Sequence, residues 1–426
     1  MYILNENTEI TQELIEKLIQ RKLKDNARLD KLQKYYENKG KIMWKTTAED
    51  KPNNIIGNPY GKYVVDTLSS LFSKITYNSN NEAINIKEIM DYNDAEYTDN
   101  ILYRNLGLFG RCVECHWIDD EGECRFNSVD PRNVILCIRN DLRKDTLMCA
   151  IHIIQNYNYL NDKITYTIEV YDDKNVKTYD GGSNAQSLLF IGEHPHYYNM
   201  VPWSFAHQDF GDFEKIVSLI DAYDQLLSSQ LDDFDMFVDS YLLLTGLHAT
   251  SEEIQEMKHN RVILLDDSDS KAEWLIKSEN DTVSQNLLKN LQQNIHKFSF
   301  VPDFTDQKFG TAESGISLRY KIFGTEAVLN NKEKAMALLL RRRIELICQI
   351  LRLKGIDVDF NAIGFEQHRN LPENLSEVIE NAVKLSNIVS TETLLSTIPI
   401  VKDVDEEMVK LDNEMIKRKD ETPFII

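Results

Sequence analysis

Three groupings of side chains in this sequence have the types and spacing of a chemical site. The first is the stretch "GTAESGIS" at residues 310–317. Its glycines, Gly310 and Gly315, and the hydroxyl of Ser317 have the separation of a phosphate-cradling loop. That loop needs G-x-x-x-x-G-K-[ST], with the lysine on the outer phosphates and the hydroxyl on magnesium. Ile316 stands where the lysine must be, and the preceding segment has the pattern of a helix ending before Pro302, not of a buried strand. Two glycines that permit a turn ahead of a helix explain the same residues. The second grouping is Cys112, Cys115, Cys124 and Cys137, with His116 beside them. Cys-x-x-Cys is a usual zinc half-site, but Cys124 and Cys137 make no second half-site and fall in different predicted strands. Within one strand Cys112 and Cys115 would point to opposite faces, so the pattern predicts small buried hydrophobes. The third grouping is His194, His196 and His207 beside Asp209 and Asp212, where "HPH" reads as a turn into "VPW". No Ser/His/Asp or Cys/His constellation stands out, and the many paired carboxylates fall on helix faces with the look of solvated surfaces. These residues predict no catalytic centre, no cofactor and no metal.

The elements that would position such residues begin with composition. The chain has 426 residues, long enough for two to four domains, with 42% hydrophobic and 27% charged residues. Its 48 basic against 69 acidic side chains give a net charge of −21. Gripping a polyanion takes Lys and Arg that displace counterions, so a surface this acidic can surround nucleic acid without adhering to it. No apolar run is long enough to span a bilayer. The N-terminal "MYILNENTEITQELIEKLIQ" lacks the basic-then-apolar pattern of an export signal. Six cysteines fit free thiols in a reducing cytoplasm.

Apolar residues at Ile10, Leu14, Leu18, Leu23, Leu29 and Leu32 predict one or two amphipathic helices at the N-terminus. A turn-rich "EDKPNNIIGNPYG" follows, then a helix around Tyr63–Phe72. From Arg111 to Ile191 short β-prone runs ("CVECHWI", "NVILCI", "CAIHIIQ", "KITYTIEVY") alternate with turns, which predicts a mostly antiparallel β region. "DFEKIVSLIDAYDQLLSSQLDDFDMFVDSYLLLTG" predicts one long helix stopped by Gly246, with an apolar stripe and an acidic face bearing Asp221, Asp224, Asp232, Asp235 and Asp239. A mixed insert comes next: a helix near Ser251–His259, the strands "RVILLDD" and "KAEWLIK", and an acidic turn "DDSDS" between them. A second helix over 281–300 puts Leu287, Leu288, Leu291, Ile295 and Phe298 on one side. Asn286, Lys289, Asn290, Gln293 and Lys297 lie opposite. A long helix from Ile316 to about Lys354, with a bend expected at Gly324, precedes three short helices with caps at Asn374, Ser390 and Asp403.

The ordered set of segments resembles the portal proteins, or head–tail connectors, of tailed bacteriophages, in particular the siphophage type. The likeness is carried by "NNIIGNPYGKYVVDTLSSLFSKITY", by "YRNLGLFGRCVECHWIDDEGECRFNSVDPRNVI", and most specifically by "SLIDAYD" with the acidic helix and "YLLLTG" that follow it. "SGISLRYKIFGTE" and the later "KE" are nearly as telling. The likeness covers roughly residues 50–355, with a weaker echo in "STETLLSTIPIVKDVDEE". The stretch "EHPHYYNMVPW" departs from the family, which has a shorter His-to-Pro turn there.

The resemblance implies an α+β portal fold: an α/β wing, a helical stem, a small α/β clip and a helical crown. By segment, residues 1–215 would form the wing, 216–246 a long helix running into the stem, and 247–280 the clip. Residues 281–301 would be the second stem helix, 302–315 a tunnel loop, 316–360 a long wing helix and 365–426 the crown. It implies a homo-oligomeric ring of about twelve copies at one capsid vertex of the virion, made in the bacterial cytoplasm. Double-stranded DNA would pass through the ring, which would dock the terminase motor and later a head–tail adaptor, beside the major capsid and scaffold proteins. No membrane is involved. The tunnel loop's Thr305, Asp306, Gln307, Lys308, Phe309, Thr311, Ala312, Glu313 and Ser314 would face DNA. Asn286, Lys289, Asn290, Gln293 and Lys297 would line the channel. Asp266, Asp267, Ser268, Asp269 and Ser270 of the clip would face the motor or adaptor. The resemblance implies no enzymatic activity. The alternatives are a nucleotide-dependent packaging enzyme using the Gly310–Ser317 loop, and a zinc-stabilised nucleic-acid-binding module.

Overall fold

The computed structural model describes residues 1–48, 51–81, 84–142, 146–185, 187–238, 242–245, 250, 252, 255, 259, 271–274, 281–304, 315–370, 375–398, 401 and 404–420. It forms two units. One comprises Met1–Val301 with Val328–His368, the other Pro302–Ala327 with Arg369–Ile426. The class is mixed α+β, as the sequence predicts.

In the first unit the order of elements follows the hydrophobic pattern closely. Helix α1 (Gln12–Tyr36) starts where the Thr11 side chain accepts the Leu14 N–H, a usual N-cap. Helix α2 (Tyr60–Ser70) leads into strand β2 (Phe72–Ser79), and α3 (Ile86–Tyr92) and α4 (Ala95–Phe109) precede the β region. Helix α4 stops at Gly110, which at φ 71° takes the left-handed conformation that suits glycine and returns its N–H to Leu106.

A six-stranded sheet has the order β1-β5-β6-β7-β8-β9, built from β1 (Tyr2–Leu4), β5 (Val134–Arg139), β6 (Leu147–Asn158), β7 (Lys163–Tyr171), β8 (Asn175–Asp180) and β9 (Leu189–Pro195). All its pairings are antiparallel except β1 with β5. A three-stranded sheet orders β10-β3-β4, from β3 (Arg111–Ile118), β4 (Cys124–Val129) and β10 (Trp203–His207).

Strand β5 shows why the layers stack as they do. Its run "VILC" is buried on both faces, which is why it reads as continuous hydrophobics without alternation. Ile135 and Cys137 join Ile15, Leu18 and Ile19 of α1 in one core. Val134 and Leu136 join Val113 and Trp203 of the smaller sheet in another. The layers are therefore α1, the six-stranded sheet, then the three-stranded sheet. A third core gathers Ile344, Leu346, Ile347 and Ile350 of helix α7 (Gly315–Leu353) with Phe126, Tyr198 and Ile363.

Two polar contacts inside this unit were not foreseen. Arg343 of α7 is fully buried and spreads its guanidinium across four elements. It bonds Glu114 on β3 through Nε and Nη2, at 3.1 and 2.5 Å, Asp99 on α4 at 2.6 Å, and the Tyr77 hydroxyl on β2 at 2.8 Å, while lying over the Phe126 ring. Glu114 also accepts from His116 at 2.7 Å and from Ser204 at 3.2 Å. Burial alone would push the Glu114 carboxyl up, but Arg343 and His116 outweigh it and hold it down at about 2. Burial lowers His116, so its neutral ring donates through Nε2 and leaves a bare Nδ1. The second contact is a buried ion pair between Lys332 and Asp212. It packs against Gly107, where a Cβ would come within 2.5 Å of the Asp212 carboxylate, so a larger residue there would have to push the pair aside.

The structure departs from the sequence reading in several elements. The long helix predicted to run to Gly246 ends earlier: after a short turn at Glu214–Ile216, α5 covers Val217–Val238. "LLLT" is instead strand β11 (Leu242–Thr245), paired antiparallel with β12 (Lys271–Trp274). A bare run of leucines satisfies a strand as well as a helix, and the partner strand decides the matter. Strands β1, β2, β10 and β13 (Ile363–Arg369) also escaped prediction; β2 and β13 form a two-stranded sheet of their own. The second helix of the pair, α6, spans Asp281–Ser299, and α7 is assigned as one helix through Gly324.

In the second unit, α8 (Leu375–Leu385), α9 (Thr391–Ser396) and α10 (Val404–Asp420) follow one another, and α9 and α10 pack together. Ser390 caps α9 by accepting the Thr393 N–H, as its sequence position predicts. Asn374 and Asp403 lie outside the described residues.

Candidate functional site

Helices α5 and α6 pack on each other. Their common root is an aromatic cluster. Tyr60 meets Tyr223 at 5.4 Å and His296 at 6.3 Å, and Tyr63 meets His296 at 5.6 Å, all edge to face. His296 Nδ1 lies 3.1 Å from the Val301 carbonyl, which secures the turn at the end of α6.

The acidic face of α5 is not the solvated surface that its composition suggested. Asp221 accepts from the Tyr35 hydroxyl at 2.7 Å. Asp224, only 4% exposed, accepts from the Asn58 N–H at 3.0 Å and its amide at 2.7 Å. Ser228 accepts from the Ile56 N–H at 3.0 Å. Asp232 accepts from the Asn54 N–H at 2.6 Å and pairs with Lys45, and Asp235 accepts from the Asn54 side chain at 2.6 Å. Steps of three and four residues keep these acceptors on one face. The turn-rich segment 53–58 therefore lies along the helix, its orphan N–H groups satisfied by carboxylates and a hydroxyl. Burial raises Asp224 above the usual carboxylate range, against the two hydrogen bonds from Asn58.

Helix α6 has three faces. Ile295 is fully buried and Leu288 and Leu291 are half-buried, forming the packed face. Asn286, Lys289, Asn290, Gln293 and Lys297 are all exposed. At about 100° per residue they fall within roughly 100° of one another, a single polar stripe. Between the two faces lies a flank of Val283, Leu287 and Phe298, exposed by 58%, 47% and 53%. The sequence assigned Leu287 and Phe298 to one stripe with Ile295; the structure separates them, because α5 covers only part of that stripe. On α5, Phe234 is likewise 64% exposed.

The remaining candidates divide into those placed and those not. Thr305, Asp306, Gln307, Lys308, Phe309, Thr311, Ala312, Glu313 and Ser314 lie outside the described residues, as do Gly310, Asp266, Asp267, Ser268, Asp269 and Ser270. The cysteines are free thiols; of the four that the sequence groups together, Cys112 and Cys115 lie on β3, while Cys124 and Cys137 fall in different cores. Cys112 meets Met336 at 3.7 Å, Cys124 meets the Tyr198 hydroxyl at 3.4 Å, and Cys137 sits opposite Cys149 across β5 and β6. Burial pushes Cys124 up to about 12, far from a thiolate ligand. His194, His196 and His207 are equally dispersed: His194 is on β9, His207 on β10, and His196 bonds the Asp172 carbonyl at 3.0 Å. Among the described residues no three His, Cys, Asp or Glu side chains gather as metal ligands, and no helix is long and apolar enough to cross a membrane.

Comparison with known proteins identifies the family. Residues 15–421 match the family described as "Phage portal protein, SPP1 Gp6-like". The chain is also similar to the portal protein of Bacillus phage SPP1, at 21% identity, over 89% of this chain and 79% of that protein. These are structural proteins of the virion, and the match runs almost from end to end: the chain belongs to the SPP1 Gp6-like family of phage portal proteins.

Proposed function

We propose that the chain assembles into a ring of about twelve copies at one capsid vertex and forms the channel through which double-stranded DNA is packaged and ejected. In this reading residues 1–215 and 316–360 are the wing, α5 and α6 the stem, 247–280 the clip, 302–315 the tunnel loop and 365–426 the crown. The ring docks the terminase motor, then the head–tail adaptor, within a shell of capsid and scaffold proteins.

The observation that carries the reading is the three-faced α6. A helix exposing Val283, Leu287 and Phe298 beside a polar stripe leaves apolar area that α5 does not cover. A neighbouring copy against that flank buries it and turns Asn286, Lys289, Asn290, Gln293 and Lys297 toward a shared lumen. With a net charge of −21 per copy, the wall repels phosphates over most of its area and keeps few cationic contacts, so DNA slides instead of docking. No chemistry is asked of the chain, in keeping with Ile316 at the lysine position of the would-be nucleotide loop.

Electron microscopy of the purified chain tests the reading: closed rings of about twelvefold symmetry are expected. A persistent monomer, alone and with scaffold protein, would sink it. Deleting Gln307–Ser314 is expected to leave the rings intact while genome packaging or retention falls. Normal genome filling in that deletion would remove the tunnel-loop role.

A further inference from the structure

A cavity of about 440 Å³ opens between α1 and the β1–β5 edge of the six-stranded sheet, within the size range of small-ligand pockets. Its lining includes Lys22, Lys24, Arg28 and Arg111 against a single carboxylate, Asp25, with Tyr2 at one side. In a chain with 21 excess negative charges, four cations around one cavity run against the general composition.

The cations are also poorly neutralised. Lys22 is 3% exposed, and its ammonium, which has three donors, makes one hydrogen bond, to the Pro131 carbonyl at 2.7 Å. It has no other hydrogen bond and no ion pair among the described residues. The half-buried Arg111 guanidinium has neither a hydrogen bond nor an ion pair among them. Arg28 is committed to Glu214 at 2.5 Å, and Asp25 accepts from the Tyr2 hydroxyl at 2.7 Å. Burying unpaired cations side by side costs free energy unless an anion joins them. Burial and repulsion from a neighbouring cation act on both groups in the same direction. Burial first, then Arg111, brings Lys22 down to about 7, against the pull of Asp130, Asp25 and Asp30. Burial and Arg28 lower Arg111 as well.

We infer that this cavity is a binding site for a small multivalent oxyanion, held by Arg111 and Lys22 from within and by Lys24 at the rim. A planar guanidinium and an ammonium with free donors suit phosphate or carboxylate oxygens equally, and the cavity has room for more than one such group.

Calorimetric titration of the purified chain at low salt, with inorganic pyrophosphate as probe, tests this. Saturable binding of one pyrophosphate per chain is expected. Arg111→Gln should weaken it about tenfold, the scale of a lost charge-assisted hydrogen bond. Lys24→Gln, at an exposed position that leaves the packing untouched, should weaken it about threefold. Lys17→Gln, on the same helix but paired with Glu13 away from the cavity lining, should leave it unchanged. Competition by citrate would identify oxyanion chemistry shared by carboxylates, and its failure to compete would assign the site to phosphates. Absence of saturable binding by both probes, or parental affinity in both Arg111→Gln and Lys24→Gln, would overturn the inference.

Discussion

Arg343→Ala is expected to lower the stability of the chain by about 3–5 kcal/mol, the cost of removing one partner from a buried ion pair. The size follows from what is left behind. Asp99 is 5% exposed and Glu114 fully buried, and without the guanidinium both would have to ionise in the dry interior or take up protons. Tyr77 would lose its 2.8 Å partner as well. A lysine in the same place keeps the charge but not the fork that serves Glu114, Asp99 and Tyr77 together, so Arg343→Lys should recover only part of the loss. Urea unfolding at fixed protein concentration is the measurement. Unchanged midpoints for both variants would show that the hub contributes little net stability. The linkage sign is definite for Glu114. Its folded value of about 2 lies below the unfolded carboxylate value, so its contribution is complete above the unfolded pKa and is lost as pH falls toward 2.

Leu287→Glu with Phe298→Glu is expected to abolish ring assembly while leaving the fold of each chain intact. Both side chains are about half exposed in the single chain, so a carboxylate there costs the isolated fold little. Against a neighbouring copy the same carboxylates would be desolvated and set beside an already acidic partner, a penalty of several kcal/mol per contact. It would be repeated at every interface of a closed ring. Light scattering should report the monomer, and circular dichroism should match the parent. Rings of normal size in the double variant would show that the flank is not the contact between copies. A Lys289→Gln and Lys297→Gln pair on the polar stripe separates the two faces, since it should leave assembly unchanged.

The sequence made the β region legible because its strands carry strong local signals. "KITYTIEVY" became β7 residue for residue, and the unbroken apolar run of β5 announced burial on two sides. What escaped was set by distant partners. "LLLT" is a strand because Lys271–Trp274 lies beside it. The aspartates of α5 are buried because segment 53–58, more than 160 residues earlier, supplies donors at matching steps. Arg343 finds Glu114 and Asp99 across 229 and 244 residues. A local signal for the hub did exist. Arg343 falls in register with Leu339, Leu340, Ile344 and Ile347, as Lys332 does with Leu329 and Met336, and Lys22 with Leu18 and Ile19. A cation on the apolar stripe of a helix marks a buried partner, an enclosed anion or a carbonyl, even when the sequence cannot say which. The tunnel-loop and clip positions had no such local signal and rest on the family likeness.

The lashing of segment 53–58 along α5 has a mechanical consequence. Its bonds to Asp224, Ser228, Asp232 and Asp235 are spaced by about one helical turn, and the two strands of contact run in opposite directions. A force along the helix axis loads these bonds in parallel, so none can fail before the others share the strain. A force across the axis would peel them one by one. The joint is stiff in shear and weak in peeling, and a helix held this way passes an axial thrust to segment 53–58 with little give.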